Sequence, residues 1–280
     1  MVNLLIAAAL AAASPGATPA APQASADPAM FVVGDADTTV YIFGTFHALD
    51  GQSRWFDSKI RDAFESSDEL VLETLVPEGP APLAGRPIPA SAVAPSASFL
   101  ASTRMAINAG RSQGMQVDNG ADMVLRRVAE QEGKTVAGLE TLDSQLAMFA
   151  RMPTNPPAPQ ANSSAKASPM QDLSKAMTDM QAAWKRGDQS VFVKVLGQLE
   201  QASPQTYRTL FTDRNARWAD WIKARLQSPG TVFVAVGAGH LAGKDSVLVR
   251  LAQLGVSSRR VNPQQQAPMQ PQAIPLNVLP

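Results

Sequence analysis

Thr38 to His47 reads TTVYIFGTFH, and much later Thr231 to His240 reads TVFVAVGAGH. Each is a run of β-branched and aromatic residues that predicts a buried strand, and each closes on Gly-x-x-His. The chain has two histidines, and these motifs hold both. Imidazole changes charge near neutral pH and is the commonest metal ligand. Two ordinary loop histidines are the plainer alternative, but the repetition of a whole strand with its motif favours a shared site. Ligands of open α/β sheets bind beyond the carboxyl ends of the strands. If the two strands lie side by side, His47 and His240 converge there. Gly44 and Gly237 are expected to supply the turn, since glycine tolerates positive φ.

Outward from the first strand, Arg54 to Ser67 repeats Phe56, Ile60, Ala63 and Phe64 at helical spacing, and Glu69 to Glu73, ELVLE, is a short apolar run ending in a carboxylate. Strand, helix, strand predicts a βαβ unit with parallel strands, which places Glu73 on the same edge as His47. Helices are predicted over Ala97 to Ala109 and Ala121 to Glu132, each stopped by glycine, and a strand over Thr135 to Leu139 that again ends in a carboxylate, Glu140. Leu72-Glu73-Thr74 and Leu139-Glu140-Thr141 match, a second echo within the chain. Thr141 or Asp143 is placed to cap the next helix.

Leu173, Met177, Met180 and Trp184 form a helical stripe that reads as core, a shorter helix runs through Leu199, and Pro204 to Gln227 is predicted as the longest helix. At 100° per residue, Leu210, Phe211, Trp218, Trp221 and Ile222 share one apolar face, and Arg214 falls inside it. A guanidinium against a core is costly unless paired, so Arg214 is expected to meet a carboxylate, Glu73 or Glu140, or else to snorkel to water. Arg217 lies at the margin of the stripe and Asn215 on its other side. A helix over Lys244 to Leu254 and a last strand over Val256 to Val261 complete the pattern.

Twenty-four basic and 24 acidic residues cancel in 280, and no basic cluster stands out, which argues against nucleic acid as a partner. The absence of cysteine excludes disulfides, thiolate metal sites and a cysteine nucleophile. Leu4 to Ala13 has the length of a signal-peptide core and Ala24-Ser25-Ala26 a cleavage pattern, although the first basic residue is Arg54. Residues 1–26 are therefore expected to be removed and the protein to be periplasmic or secreted, with no membrane span. Pro77 to Pro95 is predicted as a loop, the proline-rich Met152 to Pro169 as a flexible insertion or hinge, and the Gln- and Pro-dense tail, 262–280, as disordered.

The expected architecture is a single α/β domain over 27–261, with a largely parallel central sheet, helices on both faces and a helical insertion at about 169–227. Two imidazoles and one or two carboxylates at one sheet edge can hold a divalent ion with open positions, activating water and polarising a carbonyl. A glutamate not used as ligand can act as general base, and Arg214 can steady an oxyanion. Hydrolysis of an amide or ester suits this set, and a metal-free version using Glu73 and the histidines stays open. His-Glu-x-x-His does not occur. The glycines of Gly237 to Gly243 are spaced one residue too long for a dinucleotide fingerprint, and the ribose-binding acid is missing.

These residues resemble a known family. Asp27 to Val33 with Asp37 to His47 looks like the start of the TraB/PrgY/GumN family, and Gly237 to His240 with Leu241 and Gly243 looks like its close. Trp55, Leu70 to Glu73, Gly138 to Glu140 with Gln145, and Arg214 to Trp218 are similar to its intervening blocks. The resemblance implies a fold related to Tiki proteases and to the erythromycin-esterase-like and ChaN-like proteins. It further implies a metal-dependent, peptidase-like hydrolase of peptides or proteins that uses Mn, Co or Zn. Carried over residue by residue, it gives His47, His240 and Glu73 as metal ligands and Glu73, Glu140 and Arg214 as catalytic or supporting groups. A non-catalytic periplasmic metal- or haem-binding protein is the alternative it leaves.

Overall fold

The computed structural model describes residues 26–75, 97–152 and 169–261. The leader up to Ser25, the proline-rich stretch from Pro77, all but the ends of the one from Met152, and the tail lie outside the described residues, whereas Ala26, placed in the leader by the sequence, is buried in the core.

Strand β1, Met30–Gly34, turns into β2, Thr38–Thr45. The turn is an Asx motif, in which Asp35 accepts from the backbone N–H of Thr38 at 3.0 Å. Helix α1, Ser58–Glu65, leads to β3, Glu69–Thr74. Next come α2, Ala97–Arg111, α3, Ala121–Gln131, β4, Thr135–Glu140, and α4, Leu142–Ala150. Thr141 caps α4 by accepting from Ser144 N at 3.1 Å. Helices α5, Pro169–Lys185, α6, Ser190–Ala202, and α7, Pro204–Tyr207, precede α8, Asp213–Arg225. Strand β5, Gly230–Gly237, helix α9, Val247–Gln253, and the short β6, Arg259–Arg260, complete the described chain.

The six strands form one sheet in the order β4-β3-β5-β2-β1-β6. β4, β3, β5 and β2 are parallel, while β1 is antiparallel to β2 and to β6. β2 and β5 pair residue for residue from Thr38 opposite Gly230 to Thr45 opposite Gly237, so the two Gly-x-x-His motifs leave the sheet side by side. β3 flanks β5, with Leu72 opposite Ala235, and β4 flanks β3, with Glu140 opposite Thr74. Four strand ends thereby share one carboxyl edge. The largely parallel α/β fold agrees with the expectation, whereas β1, which the sequence reading did not mark as a strand, adds an antiparallel side.

Alternation along the strands divides the core in two. Val40, Ile42, Val71, Val232, Val234 and Val236 point to one face, where Trp218, Ala219 and Ile222 of α8 and Val247 and Leu251 of α9 cover them. Phe43, Leu70, Leu72, Phe233 and Ala235 point to the other, beneath Ile60 and Phe64 of α1, Leu125 of α3, Trp184 of α5 and Leu196 of α6. Fully burying one such side chain is worth about 1.5–3 kcal/mol.

Two expectations change. The predicted long helix from Pro204 is interrupted by a π-helical turn, Arg208–Thr212. A π turn adds a residue and so rotates the helical face on its N-terminal side relative to the face on its C-terminal side. Leu210 and Phe211 are thereby only half-buried, with Phe211 packed on His240, while Trp218 and Ile222 remain in the core. The two motif glycines are also not turn formers. Neither Gly44 nor Gly237 has positive φ. They are needed for space: a Cβ at Gly44 would press on Ala238 Cα and Leu241 Cδ1, both 3.3 Å away.

Candidate functional site

Beyond the carboxyl edge, His47 and His240 stand on the connections that leave β2 and β5, Glu73 near the end of β3 and Glu140 at the end of β4. Gly237 is the floor between them. A Cβ placed there would lie 3.2 Å from Glu73 Oε1, 3.2 Å from His47 Nε2 and 3.6 Å from His240 Cδ2, so both histidines and one glutamate surround a single point. Glu73 Oε1 accepts from Gly237 N–H at 2.7 Å.

Arg214, 4% exposed, ties these groups together. Its Nη2 donates to Glu73 Oε2 at 2.7 Å, and its Nε donates to both oxygens of Glu140, at 3.1 and 3.0 Å. Its Nη1 lies 3.3 Å from His240 Nε2 and 3.4 Å from the Leu210 carbonyl. Its face rests on the Trp218 ring, 4.5 Å away. The guanidinium is therefore paired rather than snorkelling, and it meets both carboxylates. Arg217 adds a second cation to Glu140 at 3.0 Å from the solvent side.

Each histidine has a partner that the motifs did not announce. His240 Nδ1 is 2.6 Å from Asn215 Oδ1, which can only accept. The proton sits on Nδ1, and Nε2 presents a lone pair, which the Arg214 donor meets. Asn215 is held in turn by donating to the Asp245 carbonyl at 2.8 Å. The His240 ring lies between Phe211 and Trp218, with centroids at 4.8 and 4.5 Å. His47 Nδ1 lies 3.2 Å from Asp122 Oδ1, an ion-pair approach rather than a well-aligned hydrogen bond. The loop carrying His47 is stitched to the chain before α3: Ala121 N donates to Phe46 O at 3.0 Å, and Leu49 exchanges backbone hydrogen bonds with Gln116. That seam delivers Asp122. An acid in the first turn after Gly120 was the sequence signal for it, and its adjacency to Arg214 was the signal for Asn215.

The surroundings drive the two imidazoles apart. Burial is the largest influence on His240 and lowers its pKa from 6.5 to about 4; Glu73 opposes this, and the Arg214 and His47 charges add to it. For His47, desolvation works against the charge, but the close approach and charge of Asp122, followed by Glu73, outweigh it and raise the pKa from 6.5 to about 9. The His47 side chain is 60% open to water, which weakens both the desolvation and the pull of the carboxylates. Glu73 is raised by burial and lowered more by His240 when charged, by Arg214 and His47, and by the Gly237 N–H, to about 2. At neutral pH His240 is uncharged, so Arg214, the charged His47 and the Gly237 N–H hold the carboxylate ionised.

Donor types suit a divalent ion, and His240 Nε2 and Glu73 Oε1, 3.7 Å apart, are spaced nearly as two ligands of one ion, about 3–3.5 Å for bonds of about 2.1 Å. The Arg214 donor meets that Nε2, however, and among the described residues no three such groups gather as a metal site. As arranged, the guanidinium is the cation of the cluster. Two hollows adjoin it. One, about 340 Å³, is lined by Glu73, Asp122, Arg126, Gln145 and Arg214, and the other, about 510 Å³, is mostly apolar. Thr45, His47 and His240 border both.

No helix among the described residues is long and apolar enough to cross a membrane. No curated protein and no solved structure matches the chain. The profile of the TraB/PrgY/gumN family matches residues 29–95 and 81–260, a span that holds both Gly-x-x-His motifs, Glu73, Glu140 and Arg214, and the chain belongs to that family.

Proposed function

We propose that the protein is a hydrolase that cleaves an amide or ester bond, most simply in a peptide, at the cluster around Gly237. The observation that carries this reading is the convergence of His47 Nε2, Glu73 Oε1 and the His240 ring on one point beside a hollow. With Asp122 beside Nδ1, His47 Nε2, protonated at neutral pH, is the atom that can give a proton to the leaving group and take one back from the attacking water. Of the five N–H groups of Arg214, Glu73, Glu140, His240 and the Leu210 carbonyl use four, and one on Nη2 is left for a substrate oxygen as it gains charge. Glu73 and Glu140 fix that guanidinium. Export, read from Leu4 to Ala13 and Ala24 to Ala26, belongs to the same proposal.

A metal-dependent form is the second reading. It is favoured by the 3.7 Å spacing of His240 Nε2 and Glu73 Oε1 and by the anchoring of both Nδ1 atoms, which leaves Nε2 for an ion. Mn, Co or Zn would be held by His47, His240 and Glu73, and Arg214 would have to release His240. Such an ion would supply an activated water.

The test is a calorimetric titration of chelator-stripped protein with Mn, Co and Zn, beside a peptide-library cleavage screen, each with His47→Ala and His240→Ala. Cleavage abolished by both substitutions supports the hydrolase, and the need for added ion separates its two forms. A folded protein that cleaves nothing with or without metal overturns the proposal. A Soret band on adding haem would point instead to a haem-binding protein.

A further inference from the structure

The hollow of about 510 Å³ that opens from the histidines has no part in the proposed bond cleavage, and it is built unlike its neighbour. Ile107 of α2, Met115, Val117, Met177 of α5, Phe192 of α6 and Phe211 line it. Apart from the two histidines, Arg111 is the one ionisable side chain among its lining residues. Ile107 and Val117 are left 37% and 47% exposed, an unusual placement for residues whose transfer from water is favourable. The volume lies within the range of small-ligand sites, about 300–1,000 Å³, and is more than one aliphatic side chain fills. Methionines at two wall positions adapt to an irregular apolar guest.

The hollow is continuous with the cluster, because Thr45, His47 and His240 border both spaces, and the smaller space on the other side is lined by Arg126 and Gln145. A chain lying across His47 and His240 therefore meets an apolar wall on one side and a more polar, charged one on the other. The π-helical turn contributes to this asymmetry, since Phe211 stacks against His240 and also lines the apolar space.

We infer that the apolar hollow is the specificity subsite of the proposed hydrolase site, and that it takes a bulky apolar segment of a peptide, two residues of leucine or phenylalanine size, on one side of the bond acted on. Action on that bond rests on the hydrolase reading, whereas the binding of an apolar peptide does not.

The experiment compares internally quenched peptides carrying Leu-Phe or Ser-Asp beside a central bond, with wild type, Ala106→Trp and Ile107→Asp. Ala106 lies on the hollow's wall and is half-buried, so tryptophan fills the space without removing a core contact. Wild type is expected to favour Leu-Phe by tenfold or more in kcat/KM, and both variants to lose about tenfold on that peptide and nothing on Ser-Asp. A preference that neither variant moves, or a preference for Ser-Asp, overturns the inference.

Calorimetry with a Leu-Phe peptide whose central amide is reduced keeps the two proposals apart. If no peptide is cleaved, binding by wild type that is lost in Ala106→Trp upholds the subsite while the hydrolase fails. Absence of binding overturns the subsite, as does binding of a fatty acyl ester with the peptides ignored. Circular dichroism checks that both variants fold.

Discussion

Asn215 and His240 meet at 2.6 Å, side-chain carbonyl to Nδ1, and this contact determines which nitrogen of His240 faces Arg214 and Glu73. An amide oxygen fixes the tautomer without adding charge. With a carboxylate in its place the tautomer is kept and the imidazolium stabilised. Asn215→Asp is therefore expected to raise the His240 pKa from about 4, at some cost in stability, because a carboxylate cannot donate to the Asp245 carbonyl. The chain has two histidines, so two ring resonances tracked by NMR against pH, assigned with His47→Gln, give the answer. An unmoved His240 titration would show that Asn215 does not control the ring.

Arg214 is buried between two carboxylates whose side chains are 15% and 7% exposed, Glu73 and Glu140. Removing the cation strands both. Arg214→Met is expected to cost about 3–5 kcal/mol, seen as a lower urea midpoint. Arg214→Lys should recover only part, since an ammonium lacks the planar fork that spans both partners. Adding Glu140→Gln to Arg214→Met should restore some of the loss; additive destabilisation would refute the coupling.

Acid and alkali act on different histidines. The folded pKa of His240, about 4, lies below its ordinary 6.5, so the unfolded chain takes up the proton first and stability falls as pH drops from 6.5 to 4. Glu73, depressed from 4.5 to about 2, adds a loss in the same direction below 4.5. His47 is raised to about 9, so its contribution is complete below 6.5 and disappears as pH rises through 9. The expected curve of urea midpoint against pH peaks near 6.5. Its alkaline arm is the shallower, because water screens the exposed His47. His47→Gln should flatten that arm and leave the acid arm; a curve still falling above pH 6.5 in this variant assigns the arm elsewhere.

Gly237→Ala tests the floor of the site. The added methyl would sit 3.2 Å from both Glu73 Oε1 and His47 Nε2, and φ at this position, −52°, suits alanine. The backbone is not strained; the cluster is spread. Stability is expected to change little, while activity falls by less than the about 100-fold of a 1 Å misplacement, since the neighbours need give only a few tenths of an ångström. A fully active Gly237→Ala enzyme would show that the convergence is not what the chemistry uses.

The sequence by itself determined the parallel centre of the sheet and four of its edge residues. Runs such as VYIF and VFVAV alternate between two apolar faces and have no stable place except inside a sheet, and the repeated Gly-x-x-His ends fixed what leaves it. It also marked Arg214, because a cation within an apolar helical stripe demands a partner. Only the tertiary structure decided which partner: two carboxylates from different strands reach one guanidinium, and no helical wheel contains them. Asp122 and Asn215 reach the histidines through a loop seam and a helix packed on the sheet, and such contacts leave no local period in the chain. The role of Gly44 and Gly237 reversed for the same reason, since the space a Cβ would occupy is set by the neighbouring strand and loop. The π-helical turn was hidden because a wheel assumes 100° per residue, and one inserted residue moves Phe211 onto His240.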